Sequence, residues 1–199
     1  MASDMQHDGV RFGDVLEFWF SPPDSRFRGR PRSEWFRKNS AFDEQIRARF
    51  LDCHLAAAGG RFDAWAATPY GSLALVIVLD QFPRNLFRDG ARAFASDARA
   101  LAVARSLLER HFDQVLRPLE RVFAYLPFEH CEDLAVQRRS LALFESLRPY
   151  ADCASAIDYA KRHYAVVARF GRFPHRNAAL GRVSTAEESE FLRRPGSGF

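Results

Sequence analysis

The sequence predicts an all-α protein made of stacked antiparallel helical hairpins, and three observations carry that prediction. Apolar residues recur at helical spacing along almost the whole chain. No convincing run of two-residue period, as a half-buried strand would show, accompanies them. Proline, glycine and capping residues divide the periodic stretches into helices of ordinary length joined by short turns, the pattern of a helical-hairpin array.

Taken in order, a first short helix over about Phe12 to Phe20 stops at Ser21-Pro22-Pro23, because proline cannot continue it. A basic loop follows, with Arg26, Arg28, Arg30 and Arg32 alternating with Phe27, Gly29 and Pro31; it reads as a solvated loop. Ser33 is the expected N-cap of a long helix with an apolar stripe of Phe36, Phe42, Ile46 and Phe50, ended by Gly59-Gly60. Thr68 followed by Pro69 is a strong start signal, a cap with proline at the first helical position. The helix it opens runs through Leu73 to Leu79, apolar on all sides, and is expected at the centre of the molecule. A buried strand is rejected there because no partner strand is visible. Further helices are expected at about 96–110, 118–126, 131–148 and 152–170. Ser184 and Thr185, with Glu187 and Glu188 three residues on, predict a capping box for a last short helix.

A chain of 199 residues predicts one domain, placed at residues 10–192, with flexible termini at 1–9 and 193–199. At that size it can bury enough surface to fold without a disulfide or metal. The 19 phenylalanines supply an aromatic core suited to close helix packing. The net charge of +4 is too small, and too scattered outside the 26–32 loop, to indicate nucleic acid. Cys53, Cys131 and Cys153 are odd in number and lack C-x-x-C spacing, which argues against a disulfide framework or structural zinc. The N-terminal MASDMQHDGV has neither basic nor apolar signal-peptide regions, and the run Leu73 to Leu79 is far shorter than a membrane span. A cytoplasmic protein with no membrane or nucleic-acid partner is expected.

One internal echo stands out. Asp80-Gln81-Phe82-Pro83-Arg84-Asn85 returns, with one inserted residue, as Arg172-Phe173-Pro174-His175-Arg176-Asn177. Proline as helix terminator, phenylalanine as core plug and asparagine as cap explain three of the shared positions, but not the repeated arginine. Arginine is the side chain best suited to bidentate binding of carboxylate or phosphate. Asp80 shares a face with Leu73, Val76 and Ile77, so it is expected buried and in need of a partner, for which Arg84, Arg172 and Arg176 are the candidates.

Polar residues also interrupt two other apolar stripes. One reads His130, Leu134, Gln137, Leu141, Phe144, with Glu129 and Glu132 close by; the other reads Tyr159, His163, Val166, Phe170. A lone histidine there is ordinarily a satisfied core residue, but several costly polar groups on inward faces point to a shared pocket. His130-x-Glu132 is half of a zinc-deaminase signature whose P-C-x-x-C is missing, and no H-E-x-x-H occurs. No metal ligands or cofactor are assigned on motif grounds; a His/Glu site built from three helices stays open. No G-x-S-x-G or phosphate loop is present. Acid–base chemistry would fall to His163 or His130.

Together, Val15-Leu16-Glu17-Phe18-Trp19-Phe20, Trp35-Phe36, Leu79 to Asn85, Pro127-Phe128-Glu129-His130 with Glu132-Asp133-Leu134, and Phe170 to Asn177 make the chain resemble the bacterial family of unknown function 924, from about residue 12 to residue 192. The resemblance implies a tetratricopeptide-like α–α superhelix and no transferable activity. Cys131 stands where serine is expected, which argues against a required thiol nucleophile. The resulting expectation is an inward polar pocket for a small anionic ligand, formed by Asp80, Gln81, Arg84, Asn85, Gln137, Arg172, His175 and Arg176. Asp80 and Glu132 would orient the arginines, and His163, His130 and Glu132 are the candidates for any catalysis. The competing expectation is a protein or peptide partner on a concave helical face involving Trp19, Trp35 or the 26–32 loop, the polar residues then forming a structural network.

Overall fold

The computed structural model describes residues 9–198, so most of the N-terminal segment expected to be flexible lies outside the described residues. All regular elements among them are helical. Helix α1, Phe12–Phe20, buries Val15, Leu16, Trp19 and Phe20. Its last carbonyls have no partners within the helix, and the basic loop supplies them. Arg28 donates to Ser21 O at 2.7 Å and Arg32 to Phe18 O and Trp19 O at 2.7 and 3.1 Å. Arg28 also pairs with the buried Glu120 at 2.8 Å. The solvated-loop reading is therefore corrected. Alternate arginines turn inward, while Arg26 and Arg30 stay exposed.

Ser33 does not cap the long helix. Residues Ser33–Trp35 form a single 3-10 turn, because the Trp35 indole is drawn inward to donate to Trp19 O at 3.1 Å. Phe36 is left 67% exposed, and α2, Ser40–Ala58, begins instead behind Asn39, whose side chain accepts from Phe42 N. Gly59-Gly60 ends α2, Gly60 at φ +92°.

Helix α3, Pro69–Val76, starts as expected. The Thr68 hydroxyl accepts from Gly71 N at 3.1 Å and Pro69 occupies the first turn. Gly71 is required by close approach, since a Cβ there would lie 2.2 Å from Trp65 O. The chain does not stop at Pro83. It passes through a π-helical turn, Ile77–Gln81, into α4, Phe82–Leu86. Pro83 has no N–H to give the preceding turn, so carbonyls there need outside donors. His54 on α2 supplies Val78 O (2.9 Å) and the Ser96 hydroxyl supplies Leu79 O (2.5 Å).

Helices α5 (Asp97–Glu109), α6 (Pro118–Glu129), α7 (Leu134–Glu145) and α8 (Ala154–Phe170) follow, each packed on the next. α6 runs through Pro127 rather than ending before it. Asp133 caps α7, and Gly171 at φ +71° ends α8. α9, Ala186–Leu192, opens on the Thr185–Glu188 capping box. The C-terminal residues fold back, with Arg162 donating to Gly196 O at 2.8 Å.

The core gathers around α3, which packs on α1, α5 and α6. Trp19, Phe20, Phe50, Phe82 and Phe123 meet there at ring separations of 5.0–5.7 Å, mostly edge to face, the geometry that ring quadrupoles favour. No helix among the described residues is long and apolar enough to cross a membrane.

Candidate functional site

The π turn delivers Asp80 and Gln81 to the buried end of the α3 helix, fully enclosed and 5% exposed respectively. Gln81 Nε2 donates to Asp80 Oδ2 at 2.5 Å, and His130 at the end of α6 donates from Nδ1 to Asp80 Oδ1 at 2.7 Å. Arg84, one turn on, lies 3.6 Å from the same carboxylate and donates to Asp80 O. Burial works to raise the Asp80 carboxyl. Arg84, His130 and Gln81 outweigh it and hold the group well below the usual carboxylate range.

Arg84 and Arg176, the repeated arginines of the two turns, lie 92 positions apart in sequence. They converge on one carboxylate. Asp97, the first residue of α5, accepts from Arg84 at 3.0 and 3.2 Å and from Arg176 at 3.0 Å. The Arg176 guanidinium lies 4.6 Å from the Phe94 ring centre and 4.7 Å from that of Phe173. Burial lowers its affinity for a proton and Asp97 opposes that. Its Nε is buried and donates to no acceptor among the described residues.

A second histidine–carboxylate pair adjoins the first. His163 on α8 directs Nδ1 at Glu129 Oε1 (3.0 Å) and at Tyr159 O (2.9 Å). The His130 and His163 rings are 6.1 Å apart, and Phe173 packs edge-on against His163 at 5.4 Å. One donor atom from each of Glu129, His130 and His163 lies within 4.8 Å of the others. Burial, and then Arg84, push the His130 imidazole below its ordinary value; burial takes His175 down to about 3. The His175 ring is thus neutral at pH 7.

Several expected residues have other partners. Arg172 pairs with Glu188 at 2.6 and 2.8 Å and donates to Val183 O, tying the loop after α8 to α9. Glu132 accepts from Phe173 N at 2.8 Å and from Arg182 at 2.6 and 2.9 Å, so it holds the second turn in place and does not orient Arg84 or Arg176. Neither asparagine caps a helix: Asn85 donates to Asp43 (2.7 Å) and Asn177 to Ser184 (3.0 Å). Gln137 Nε2 donates to Glu129 O and Cys131 O, fastening the α6–α7 corner. Trp19 and Trp35 are buried, which removes them from any docking face. All three cysteines are free, and burial raises their thiols, Cys53 to about 12.

Sequence reasoning missed Asp97, because an acid behind Ser96 at a helix start reads as a partner for the helix dipole. Glu129 is noted beside its stripe without a role. Its only signal is adjacency to His130.

A solved structure described as a protein of unknown function, ATU0120 from Agrobacterium tumefaciens, superposes with a TM-score of 0.80 at 40% sequence identity, covering 92% of this chain and 96% of that one. No curated protein matches the sequence. The model of a family described as bacterial protein of unknown function (DUF924) matches residues 15–196, a span that takes in both arginine turns and both histidine–carboxylate pairs, and the chain belongs to that family.

Proposed function

We propose that the protein binds a small oxyanion-bearing ligand, a carboxylate or phosphate ester, against Arg84 and Arg176. The observation that carries this reading is the convergence of two arginines, from turns 92 positions apart in sequence, on Asp97, which stands where a ligand oxyanion would sit. Arg84 is 21% exposed and offers the way in, while Arg176 behind it keeps a buried donor without an acceptor among the described residues.

The test is thermal stability of the purified protein with inorganic phosphate, phosphorylated metabolites and carboxylates. A ligand at 100 times its dissociation constant raises stability by about 2.7 kcal/mol. Arg176→Met should abolish the rise, and Asp97→Asn, which removes the internal competitor, should enlarge it. No rise in either wild type or Asp97→Asn refutes the reading.

A second reading has its own support. Asp97 satisfies both arginines internally, as a purely structural network requires. Sequential packing of α5 on α6, α6 on α7 and α7 on α8 is consistent with a tetratricopeptide-like array that offers an outer face to a protein. A depression of about 460 Å³ between α7 and α8, bordered by Leu141, Ile157 and Lys161, would be available to such a partner.

A further inference from the structure

We propose that Glu129, His130 and His163 bind one first-row divalent cation through two imidazoles and one carboxylate. The proposal does not depend on the oxyanion reading, because cation and anion engage different side chains and can be titrated separately.

Four observations converge on it. The first is proximity. The three donor atoms lie within 4.8 Å of one another, and ligands about 2.0–2.2 Å from a shared ion sit up to about 4 Å apart, so a small side-chain rotation closes the set.

The second is the shell behind them. His130 gives its Nδ1 proton to Asp80, a fully buried carboxylate that is itself fixed by Gln81. A carboxylate on one ring nitrogen sets the tautomer and leaves the lone pair on the other, which is how metal-binding histidines are usually oriented. His163 Nδ1 meets the Tyr159 carbonyl at 2.9 Å and Glu129 Oε1 at 3.0 Å, so its ring is already held beside the carboxylate.

The third is an unsatisfied atom. Glu129 is 2% exposed; its Oε1 lies 3.0 Å from His163 Nδ1, but its Oε2 accepts no hydrogen bond among the described residues. A buried carboxylate oxygen in that condition is costly and calls for an ion or equivalent partner.

The fourth is charge. Asp80, Asp97 and Glu129 are three carboxylates against two guanidiniums, Arg84 and Arg176, while Glu132 is already matched by Arg182. The excess negative charge falls on Glu129. A cation held between the three residues would offset it.

Two nitrogens and one oxygen suit Zn²⁺, Fe²⁺ or Mn²⁺ rather than Ca²⁺ or Mg²⁺. Three protein ligands also leave a position for water or substrate, as catalytic rather than structural sites do.

The test uses the whole chain after chelator treatment, titrated with Zn²⁺, Co²⁺ or Mn²⁺ alone and followed by calorimetry. We expect one equivalent to bind, with affinity falling at least 100-fold in Glu129→Gln and His163→Gln. Asp80→Asn, which weakens the support of His130 and also removes a charged partner of Arg84, should weaken binding by about 10–100-fold. Should these buried substitutions prevent folding, the wild-type protein still decides the matter. Zn²⁺ should shift the imidazole nitrogens of His130 and His163, and of no others among the six histidines, in ¹H–¹⁵N spectra. The proposal is overturned by no stoichiometric binding at millimolar metal. Unchanged affinity in a folded Glu129→Gln protein, or shifts confined to other histidines, would overturn it equally.

Discussion

Replacing Asp97 with asparagine puts the central ion cluster under the most direct strain. The carboxylate accepts three charge-assisted hydrogen bonds, two from Arg84 and one from Arg176. Asparagine keeps the shape and one acceptor oxygen but loses the charge. Arg84 is cushioned, because it is 21% exposed and has Asp80 as a second partner. Arg176 is only 7% exposed, has no other ion pair among the described residues, and would be left as a buried charge. Breaking a fully buried pair costs about 3–5 kcal/mol. Asp97 is itself 18% exposed, so a loss of about 2–4 kcal/mol is the better figure. For a domain of this size that lowers the melting temperature by roughly 5–15 °C. Urea denaturation followed by circular dichroism measures the loss, and the double mutant Asp97→Asn/Arg176→Met should recover at least about 1 kcal/mol of it through coupling. A single-mutant loss under about 0.5 kcal/mol, or strictly additive losses in the double mutant, would show that the arginines do not depend on Asp97.

Three further outcomes are expected. Ser96→Ala removes the donor to Leu79 O and should cost about 1–3 kcal/mol in urea denaturation, since the carbonyl is buried and its proline neighbour cannot replace it. Gly71→Ala forces a methyl to within 2.2 Å of Trp65 O, a backbone atom that cannot give way, and should cost about 3 kcal/mol or more or abolish soluble expression. Glu188 is drawn down to about 2, first by Arg172. Its folded value lies below its unfolded one, so its contribution is complete above about pH 4.5 and is lost as pH falls toward 2. Stability measured from pH 5 to pH 2 should fall less steeply in Glu188→Gln than in the parent.

What the sequence made legible is what local chemistry decides. Thr68-Pro69, Gly59-Gly60 and Thr185 with Glu188 set helix ends through their own side chains and dihedrals, and each lies where the pattern put it. Asp80 is legible as buried because its helix is apolar on every side, and its need of Arg84 follows from charge alone. What escaped depends on distant partners. Proline at 83 reads as a stop, yet the chain continues because His54 and Ser96, 24 and 17 residues from the carbonyls they serve, take over the missing donors. The two copies of the phenylalanine–proline–arginine turn look equivalent as strings but adopt different backbones, one helical and one a 3-10 turn. Their arginines nevertheless reach one acid, and only the three-dimensional path of α5 puts it there. Glu129 became prominent through α8, which no local pattern connects to it.

The inward turn of Arg28 and Arg32 also bears on how the protein withstands proteases. Four arginines within seven residues make an inviting stretch for a trypsin-like enzyme, which must draw each side chain into its own specificity pocket. Arg28 and Arg32 are held by carbonyls at the end of α1, and Arg28 by Glu120 as well. Arg30 is followed by Pro31, a bond such enzymes do not cut. Only Arg26 is both exposed and cleavable, so brief digestion of the native chain should nick this loop there and nowhere else. Cleavage after Arg28 or Arg32 would begin only once the end of α1 has come undone, which makes the appearance of those fragments a clock for that local opening.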